Sequence, residues 1–183
     1  MAQEHGERHS GETITSERIE PYGEEKGFVL TTTAQGTDGR LADAHSAYHD
    51  NRSPPLGWTP VANAMSYALV VEDPDAPRET PFVHWLAWNI PGDAHELPEA
   101  VPHGSDVLGG ITQGRNDAGT YGWFGPRPPP GHGVHRYYFQ LFALDRRLDM
   151  GPDTPLEELV NALKGATLAE GRLMATYEAP TEQ

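Results

Sequence analysis

The chain has 183 residues, a length that favours one domain over two. Its 27 acidic and 13 basic residues give a formal net charge of -14, which excludes a nucleic-acid-binding surface as a property of the whole protein. The chain contains no cysteine, so a disulfide framework, a thiolate zinc site and a cysteine nucleophile are excluded as well.

Residues 1–26 are polar and rich in glutamate, without a sustained apolar period. We expect them to form a largely mobile arm in which only Ile14 and Ile19 are suited to touch the rest of the molecule. An edge strand through residues 12–19 is the competing prediction. Residues 27–183 are predicted to form a single domain.

The chain carries no signal for export or membrane insertion. Its first residues lack the cationic start and apolar run of a signal peptide. No stretch approaches the ~20 apolar residues of a membrane span. We therefore expect a cytoplasmic protein.

Five segments have the β-branched, aromatic or continuously apolar character of strands. They are residues 28–33, 65–71, 83–90, 136–144 and 167–177. The fourth is the longest apolar run, and its near-continuous apolarity predicts a central strand that is covered on both faces.

One helix is predicted after the fourth strand. Thr154 is placed to cap it, Pro155 to occupy its first position, and Glu157 to complete a capping box. The apolar residues of this segment recur at helical spacing: Leu156, Leu159, Val160 and Leu163.

Two segments rich in proline and glycine, residues 44–63 and 102–133, are predicted to be long loops. The second culminates in GPRPPPGHG at 125–133, and we expect it to contain neither a helix nor a central strand. Because such loops, rather than regularly alternating helices, join the strands, the sequence predicts a mainly β fold with mostly antiparallel pairing.

Two carboxylates follow the strand predicted at 65–71. Asp73 and Asp75 stand in the sequence DPDAP, whose prolines stiffen the chain where it leaves the strand. Aspartate and proline are also ordinary turn residues. The doubled pattern at the end of a buried strand nevertheless favours a functional site, and His84 follows in the next strand.

The loop at 125–133 leads directly into the predicted central strand. His135 and Tyr137 are two residues apart and should point to the same face, whereas Arg136 should point to the opposite one. An imidazole and a phenol that converge at this edge can donate hydrogen bonds to an anion. Both residue types are also common packing residues in strands, so a purely structural role stays open.

Several motifs occur in order along the chain: SPPLGW at 53–58, DPDAP at 73–77, His84-Trp85, WNIPGD at 88–93, GGITQGRND at 109–117 and GHGVHRYYFQLFALD at 131–145. Together they resemble the phosphatidylethanolamine-binding protein family, and most closely its bacterial and archaeal Raf kinase inhibitor-like branch. The resemblance runs from about Phe28 to Tyr177. It implies a large antiparallel sheet packed on a smaller one, with one or two peripheral helices.

The resemblance also implies a small anion pocket at one end of the large sheet. The positions that match the family's pocket are Asp73, Asp75, His84, Gly125, Pro126, His135 and Tyr137. Neutral histidine N–H, tyrosine O–H and loop N–H groups can donate to phosphate oxygens. We expect the aspartates to orient the imidazoles and to favour their protonated form. Arg127 departs from the pattern of bacterial relatives, and it either reaches the anion or points to water.

The predicted function is therefore a non-catalytic binding protein for phosphate or phospholipid head groups, without a cofactor or a metal. An Asp/His hydrolase of phosphate esters or lactones is one alternative, although no GxSxG or HExxH motif is present. An inhibitor or scaffold of a protein partner, a kinase or a protease, is the other. The resemblance further implies a homodimer.

Overall fold

The structure is a computed structural model that describes residues 13–181. This part of the chain contains nine strands and one α-helix. The strands are β1 (Leu30–Thr31), β2 (Leu56–Trp58), β3 (Ser66–Asp73), β4 (Phe82–Pro91), β5 (Glu96–Leu97), β6 (Asp106–Val107), β7 (Ile111–Gln113), β8 (His135–Leu144) and β9 (Thr167–Tyr177). The helix is α1 (Leu156–Leu163).

The strands form two antiparallel sheets, which confirms the predicted mainly β fold. The large sheet has the order β6-β7-β4-β3-β8-β9, and the small sheet has the order β1-β2-β5. Every residue of β3 is buried, and β4 and β8 are buried along most of their length. A strand covered on both faces needs apolar residues at successive positions, which is why these segments do not alternate with polar residues.

The large sheet buries a different core on each face. One face packs against the small sheet through residues that include Tyr67, Val71, Trp85, Phe139, Leu56 and Trp58. The other face is covered by α1 and the N-terminal segment through residues that include Val70, Leu86, Phe142, Leu159 and Ile19. Neighbouring residues of a central strand therefore enter different environments.

Helix α1 is confirmed, but its predicted cap is wrong. Pro155 is the N-cap residue, and no side chain caps the helix. The carboxylate of Glu157 is instead engaged by the guanidinium of Arg18, at 2.6 and 2.9 Å. Arg18 lies in the N-terminal segment, so the sequence around the helix cannot predict that Glu157 pairs with it instead of forming a capping box.

The expectation of a mobile arm is corrected for residues 13–26, which pack on the large sheet; residues 1–12 lie outside the described part of the chain. Ile14 and Ile19 are 0% and 5% exposed. The competing edge strand is absent from residues 13–19, where Thr15–Arg18 form a 3-10 turn. Farther along, Gly27 and Glu170 form a bridge against β9, so this segment covers the edge of the sheet.

The two predicted loops contain short strands that the sequence did not reveal. Strand β2 lies within residues 44–63, and β6 and β7 form a hairpin within residues 102–133. Strand β7 lies between β6 and β4, second from the edge of the large sheet, so this region extends the sheet without supplying a central strand. The hairpin turn uses Leu108, Gly109 and Gly110 at positive φ, a conformation that glycine adopts freely.

The described residues include no helix long and apolar enough to cross a membrane. The sole α-helix of residues 13–181, α1, has eight residues.

Candidate functional site

A cavity of about 300 Å³ opens at the end of the large sheet where β3 ends and β4 and β8 begin. Three chain segments meet there: the exit from β3, the start of β4 and the Pro/Gly loop that leads into β8. The lining residues are Asp73, Ala76, Pro77, Arg78, Phe82, His84, Phe124, Arg127, Pro128, Pro129, His135 and Tyr137. Four of the seven predicted site residues are therefore brought together: Asp73, His84, His135 and Tyr137.

His84 reaches the cavity because of a β-bulge. The partners of Glu72 and Val71 across the sheet are Val83 and Trp85, so His84 is an extra residue in β4. A bulge changes the face on which the following residues lie. Strict alternation would place His84 with Leu86 in the helix-covered core, whereas the bulge places it beside the cavity.

The ring of His84 is fixed by the loop rather than by a carboxylate. Its Nδ1 lies 2.6 Å from the carbonyl oxygen of Phe124, and the Phe124 amide donates to the His84 carbonyl at 2.9 Å. Burial lowers the pKa of His84, outweighing the Phe124 hydrogen bond and the nearby carboxylates. Contrary to the expectation, the ring is therefore not oriented by an aspartate, and although nearby aspartates favour its protonated form, burial outweighs them.

His135 is held by a carboxylate, in the manner expected. Its Nδ1 lies 2.7 Å from an Asp73 oxygen, and both side chains are almost fully buried. The other ring nitrogen, Nε2, lies 2.5 Å from Nδ1 of His132. His132 is exposed and belongs to the Pro/Gly loop, so the three side chains form a hydrogen-bonded chain from the sheet to the surface.

Tyr137 presents a buried hydroxyl to the cavity. Among residues 13–181, four buried side-chain atoms lack a hydrogen-bond partner: the hydroxyls of Thr15 and Tyr137, Trp58 Nε1 and one oxygen of Glu170. Tyr137 lines the cavity and the other three residues do not. Burial first, and then the carboxylates of Asp73 and Asp75, raise the pKa of Tyr137. The phenol therefore keeps its proton and remains a donor.

Asp75 lies outside the cavity lining. Its carboxylate accepts from the backbone N–H of Arg136 at 2.8 Å and from the guanidinium at 2.7 and 2.9 Å. Although burial alone would raise the pKa of Asp75, these hydrogen bonds hold it below its usual value. As predicted, Arg136 points away from the face of His135 and Tyr137, and there it immobilises Asp75.

Gly125 and Pro126 also lie outside the lining and anchor the loop. The Pro126 carbonyl accepts from the Ala47 amide at 3.0 Å and from the Ser46 hydroxyl at 2.9 Å. A Cβ atom at Gly125 would come within 2.0 Å of the His45 carbonyl oxygen, so no other residue fits. These two residues position the loop that carries the lining residues.

The walls and rim of the cavity contain residues that the sequence analysis missed. Phe82 and Phe124 flank His84, with ring centroids 4.7 and 6.0 Å from the imidazole. Arg78 and Arg127 are exposed at the rim. Arg127 stacks over Tyr48 at 5.7 Å. No local pattern marks Phe82 or Arg78 as site residues, because the fold brings them to this edge.

The described part of the chain contains no group of three or more His, Asp or Glu side chains arranged to hold a metal ion.

The chain is similar to known proteins in sequence and in structure. The family model described as "Phosphatidylethanolamine-binding protein" matches residues 28–178. A UPF0098 protein of Methanothermobacter thermautotrophicus is 42% identical over 149 residues, which cover 81% of this chain and 97% of the relative. The crystal structure of E. coli YbcL, described as a member of the mammalian PEBP family, superposes with a TM-score of 0.75. It is 30% identical, and the match covers 84% of this chain and 99% of YbcL.

One relative carries a name that bears on location. A Mycobacterium tuberculosis protein named as a lipoprotein, LppC, is 36% identical over 129 residues. The match covers 70% of this chain and 61% of that protein.

Proposed function

The chain belongs to the phosphatidylethanolamine-binding protein family, and we propose that it is a non-catalytic binding protein for small phosphate-bearing anions. The ligand site is the cavity at the end of the large sheet. Its polar base is formed by His84, His135 and Tyr137, with Asp73 behind them as a positioning residue.

The observation that carries this proposal is the Tyr137 hydroxyl. It is a protonated donor with 0% exposure of its residue. The Asp73 carboxylate lies close enough to raise its pKa, but no acceptor among residues 13–181 makes a hydrogen bond of regular geometry with it. A buried polar group without a partner is destabilising, so native proteins retain few of them. A ligand oxygen in the cavity supplies the missing acceptor.

The charge around the cavity favours an anion although the protein as a whole is acidic, with a net charge of -14. Arg78 and Arg127 both line the cavity at its rim. Arg78 forms an ion pair with Asp117 at 3.2 Å, whereas Arg127 has no ion pair with any residue in the range 13–181. A guanidinium without a carboxylate partner is available to phosphate oxygens.

The test is isothermal titration calorimetry with O-phosphoethanolamine. We expect Tyr137→Phe to weaken binding at least about tenfold, because it removes one buried donor and nothing else. Tyr67→Phe is the matched control, since Tyr67 is equally buried but its hydroxyl already accepts from the Val61 amide at 3.1 Å. Equal affinities of wild type and Tyr137→Phe would remove the hydroxyl from the site.

A hydrolase is the second candidate, and one observation favours it: Asp73 and His135 form the hydrogen-bonded acid–base pair that such an enzyme needs. The cavity lining contains no serine, threonine or cysteine, so water is the simplest nucleophile for this pair to activate. Release of inorganic phosphate from a phosphomonoester, lost in His135→Ala, would establish the enzyme. We expect no turnover.

The remaining expectations concern location and assembly. We propose a cytoplasmic homodimer, which fractionation of cells and size-exclusion chromatography test directly. The relative named as a lipoprotein makes the membrane fraction the informative contrast. No contact or surface among residues 13–181 specifically supports inhibition of a protein partner.

A further inference from the structure

The position of the hydrogen on His84 follows from its partner. A backbone carbonyl can only accept a hydrogen bond, so the Nδ1 that faces the Phe124 oxygen at 2.6 Å carries the hydrogen. A neutral imidazole has one N–H, and therefore Nε2 of His84 carries a lone pair. This nitrogen makes no hydrogen bond among residues 13–181, which leaves it available to a ligand as an acceptor.

The same reasoning applies to His135. The Asp73 carboxylate accepts, so Nδ1 of His135 carries a hydrogen. Its Nε2 is engaged by Nδ1 of His132, 2.5 Å away. The Nδ1–H groups of both imidazoles are therefore directed into the protein and not at the ligand.

Tyr137 has the opposite character. Its hydroxyl is a donor without a partner, and its ring lies 5.1 Å from the His84 ring, centroid to centroid. A ligand that fills this space must accept one hydrogen bond from Tyr137 and donate one to His84. An oxyanion without hydrogen meets only half of this requirement.

The charged surroundings of His84 do not change its protonation. Asp73 at the end of β3 and Asp117 in the loop after β7 favour the imidazolium, whereas His135 in β8 and burial disfavour it. The balance lies with burial, and the rim guanidinium groups add further positive charge at the cavity. The neutral imidazole is thus the form that a ligand meets.

Resting on the function proposed above, we propose that the cavity selects a phosphate group that carries one proton: inorganic phosphate or a phosphomonoester, and not a phosphodiester. The P–OH donates to Nε2 of His84, and an unprotonated phosphate oxygen accepts from the Tyr137 hydroxyl. A phosphodiester has no P–OH and would set its oxygens against the His84 lone pair. A phosphomonoester loses its second proton with a pKa of about 6, so the protonated form is accessible near neutral pH.

Two soluble ethanolamine compounds test this selectivity by calorimetry near pH 6.5: O-phosphoethanolamine, a monoester, and glycerophosphoethanolamine, a diester. We expect the monoester to bind at least about tenfold more tightly. Inorganic phosphate, titrated in parallel, separates a requirement for the P–OH from a requirement for the ethanolamine. Diester binding as tight as monoester binding would overturn the proposal.

The proton itself is the second readout. The complex holds one proton more than the ligand dianion and the neutral pocket do together. The monoester dissociation constant should therefore rise about tenfold from about pH 7 to about pH 8. A dissociation constant that stays constant over this interval would contradict the inference. If none of the three compounds binds at any pH, the proposed function fails, not the selectivity alone.

A variant sharpens the assignment. In His84→Gln the amide can donate as well as accept, so we expect the preference for the monoester to fall below about threefold. His103→Gln is the matched control, because Nε2 of His103 also bonds a backbone carbonyl, that of Trp123 at 3.0 Å, outside the cavity. The control should keep the wild-type preference. If His84→Gln does not fold, the wild-type comparisons above still decide.

Discussion

Glu72 and Asp73 are consecutive residues of β3, and both are almost fully buried, at 2% and 3% exposure. They serve opposite faces of the large sheet. The Glu72 carboxylate accepts from the Thr15 amide and from the Gln140 side chain, each at 2.8 Å. The side-chain oxygen of Gln140, Oε1, in turn accepts from the Ser16 amide at 2.6 Å. This carboxylate fastens the N-terminal segment to the sheet.

The Asp73 face is organised differently. Asp73 holds His135, but the neighbouring Tyr137 hydroxyl and the Nε2 of His84 have no partner among the described residues. Their unused hydrogen-bonding capacity faces a cavity. A buried polar side chain is thus not by itself evidence of a ligand site. Unused capacity beside a cavity is such evidence.

A cavity by itself is not sufficient either. One of about 390 Å³ lies on the Glu72 face, and five of its ten lining residues are charged. Apart from Glu72, these pair with one another: Arg18 with Glu157 at 2.6 Å and Arg78 with Asp117 at 3.2 Å. Substitutions on each face can test this contrast between paired and unpaired groups.

Ile14→Ala should lower the free energy of unfolding by about 2–4 kcal/mol, because Ile14 is completely buried where the N-terminal segment docks on the sheet. Denaturant unfolding measures the loss. Phosphate binding should be unchanged, since the residue lies on the Glu72 side of the sheet. Val29→Ala, at a position that is 62% exposed, is the control with little expected effect. A loss below about 0.5 kcal/mol for Ile14→Ala would mean that the segment is not docked.

Glu72→Gln should make stability less sensitive to pH. Burial raises the pKa of Glu72 above 4.5, outweighing the hydrogen bonds from Gln140 and Thr15. The folded carboxyl then holds a proton that the unfolded chain has released, so wild-type stability falls as the pH rises through this interval. The free energy of unfolding falls by about 1.4 kcal/mol for each unit by which the pKa is raised. Glutamine does not titrate, so the variant does not show this fall.

Thermal unfolding of both proteins between about pH 4 and pH 8 checks this prediction. The variant should gain on the wild type as the pH rises. Glu158→Gln, at an exposed position of α1, is the control. A difference between variant and wild type that is constant with pH would contradict the assignment.

Tyr67→Phe and Tyr137→Phe should affect stability differently. The first removes the acceptor of the Val61 amide and should cost about 1 kcal/mol. The second removes a hydroxyl without a partner, so stability should stay constant or rise by up to about 1 kcal/mol. Unfolding curves of the ligand-free proteins provide the measurement. A larger loss for Tyr137→Phe than for Tyr67→Phe would mean that its hydroxyl is already satisfied inside the protein.

Arg127→Ala should weaken phosphate binding by about two- to fivefold, and added salt should reduce the difference. The effect is small because the guanidinium is exposed. Arg78→Ala should have a smaller effect still, because Arg78 already pairs with Asp117. Calorimetry at two salt concentrations checks the order, and an equal or larger effect of Arg78→Ala would reverse it.

The elements that could be predicted from the sequence are those with long, continuous patterns. Strands β3, β4, β8 and β9 and helix α1 agree with the predicted segments to within two residues. The shared face of His135 and Tyr137 followed from alternation, because β8 has no irregularity between them. Strands of two or three residues, such as β5 and β6, bury too little to leave a pattern.

The remaining site features depend on contacts between distant segments. The bulge that turns His84 to the cavity leaves no local signal, and neither does the carbonyl of Phe124 that fixes its ring. The docked N-terminal segment was missed because its apolar residues are isolated, while its partners Glu72 and Gln140 stand in strands. The family resemblance places Asp75 in the pocket, but its ion pair with Arg136, far away in the sequence, holds its carboxylate outside the cavity lining.

A crystal structure of the protein soaked with O-phosphoethanolamine, at a concentration that calorimetry shows to be saturating, would show whether the ligand reaches Tyr137 and His84. We predict a phosphate group in the cavity with one oxygen about 2.5–3.0 Å from the Tyr137 hydroxyl and another at hydrogen-bond distance from Nε2 of His84. An empty cavity under these conditions, or a phosphate bound elsewhere on the molecule, would contradict it.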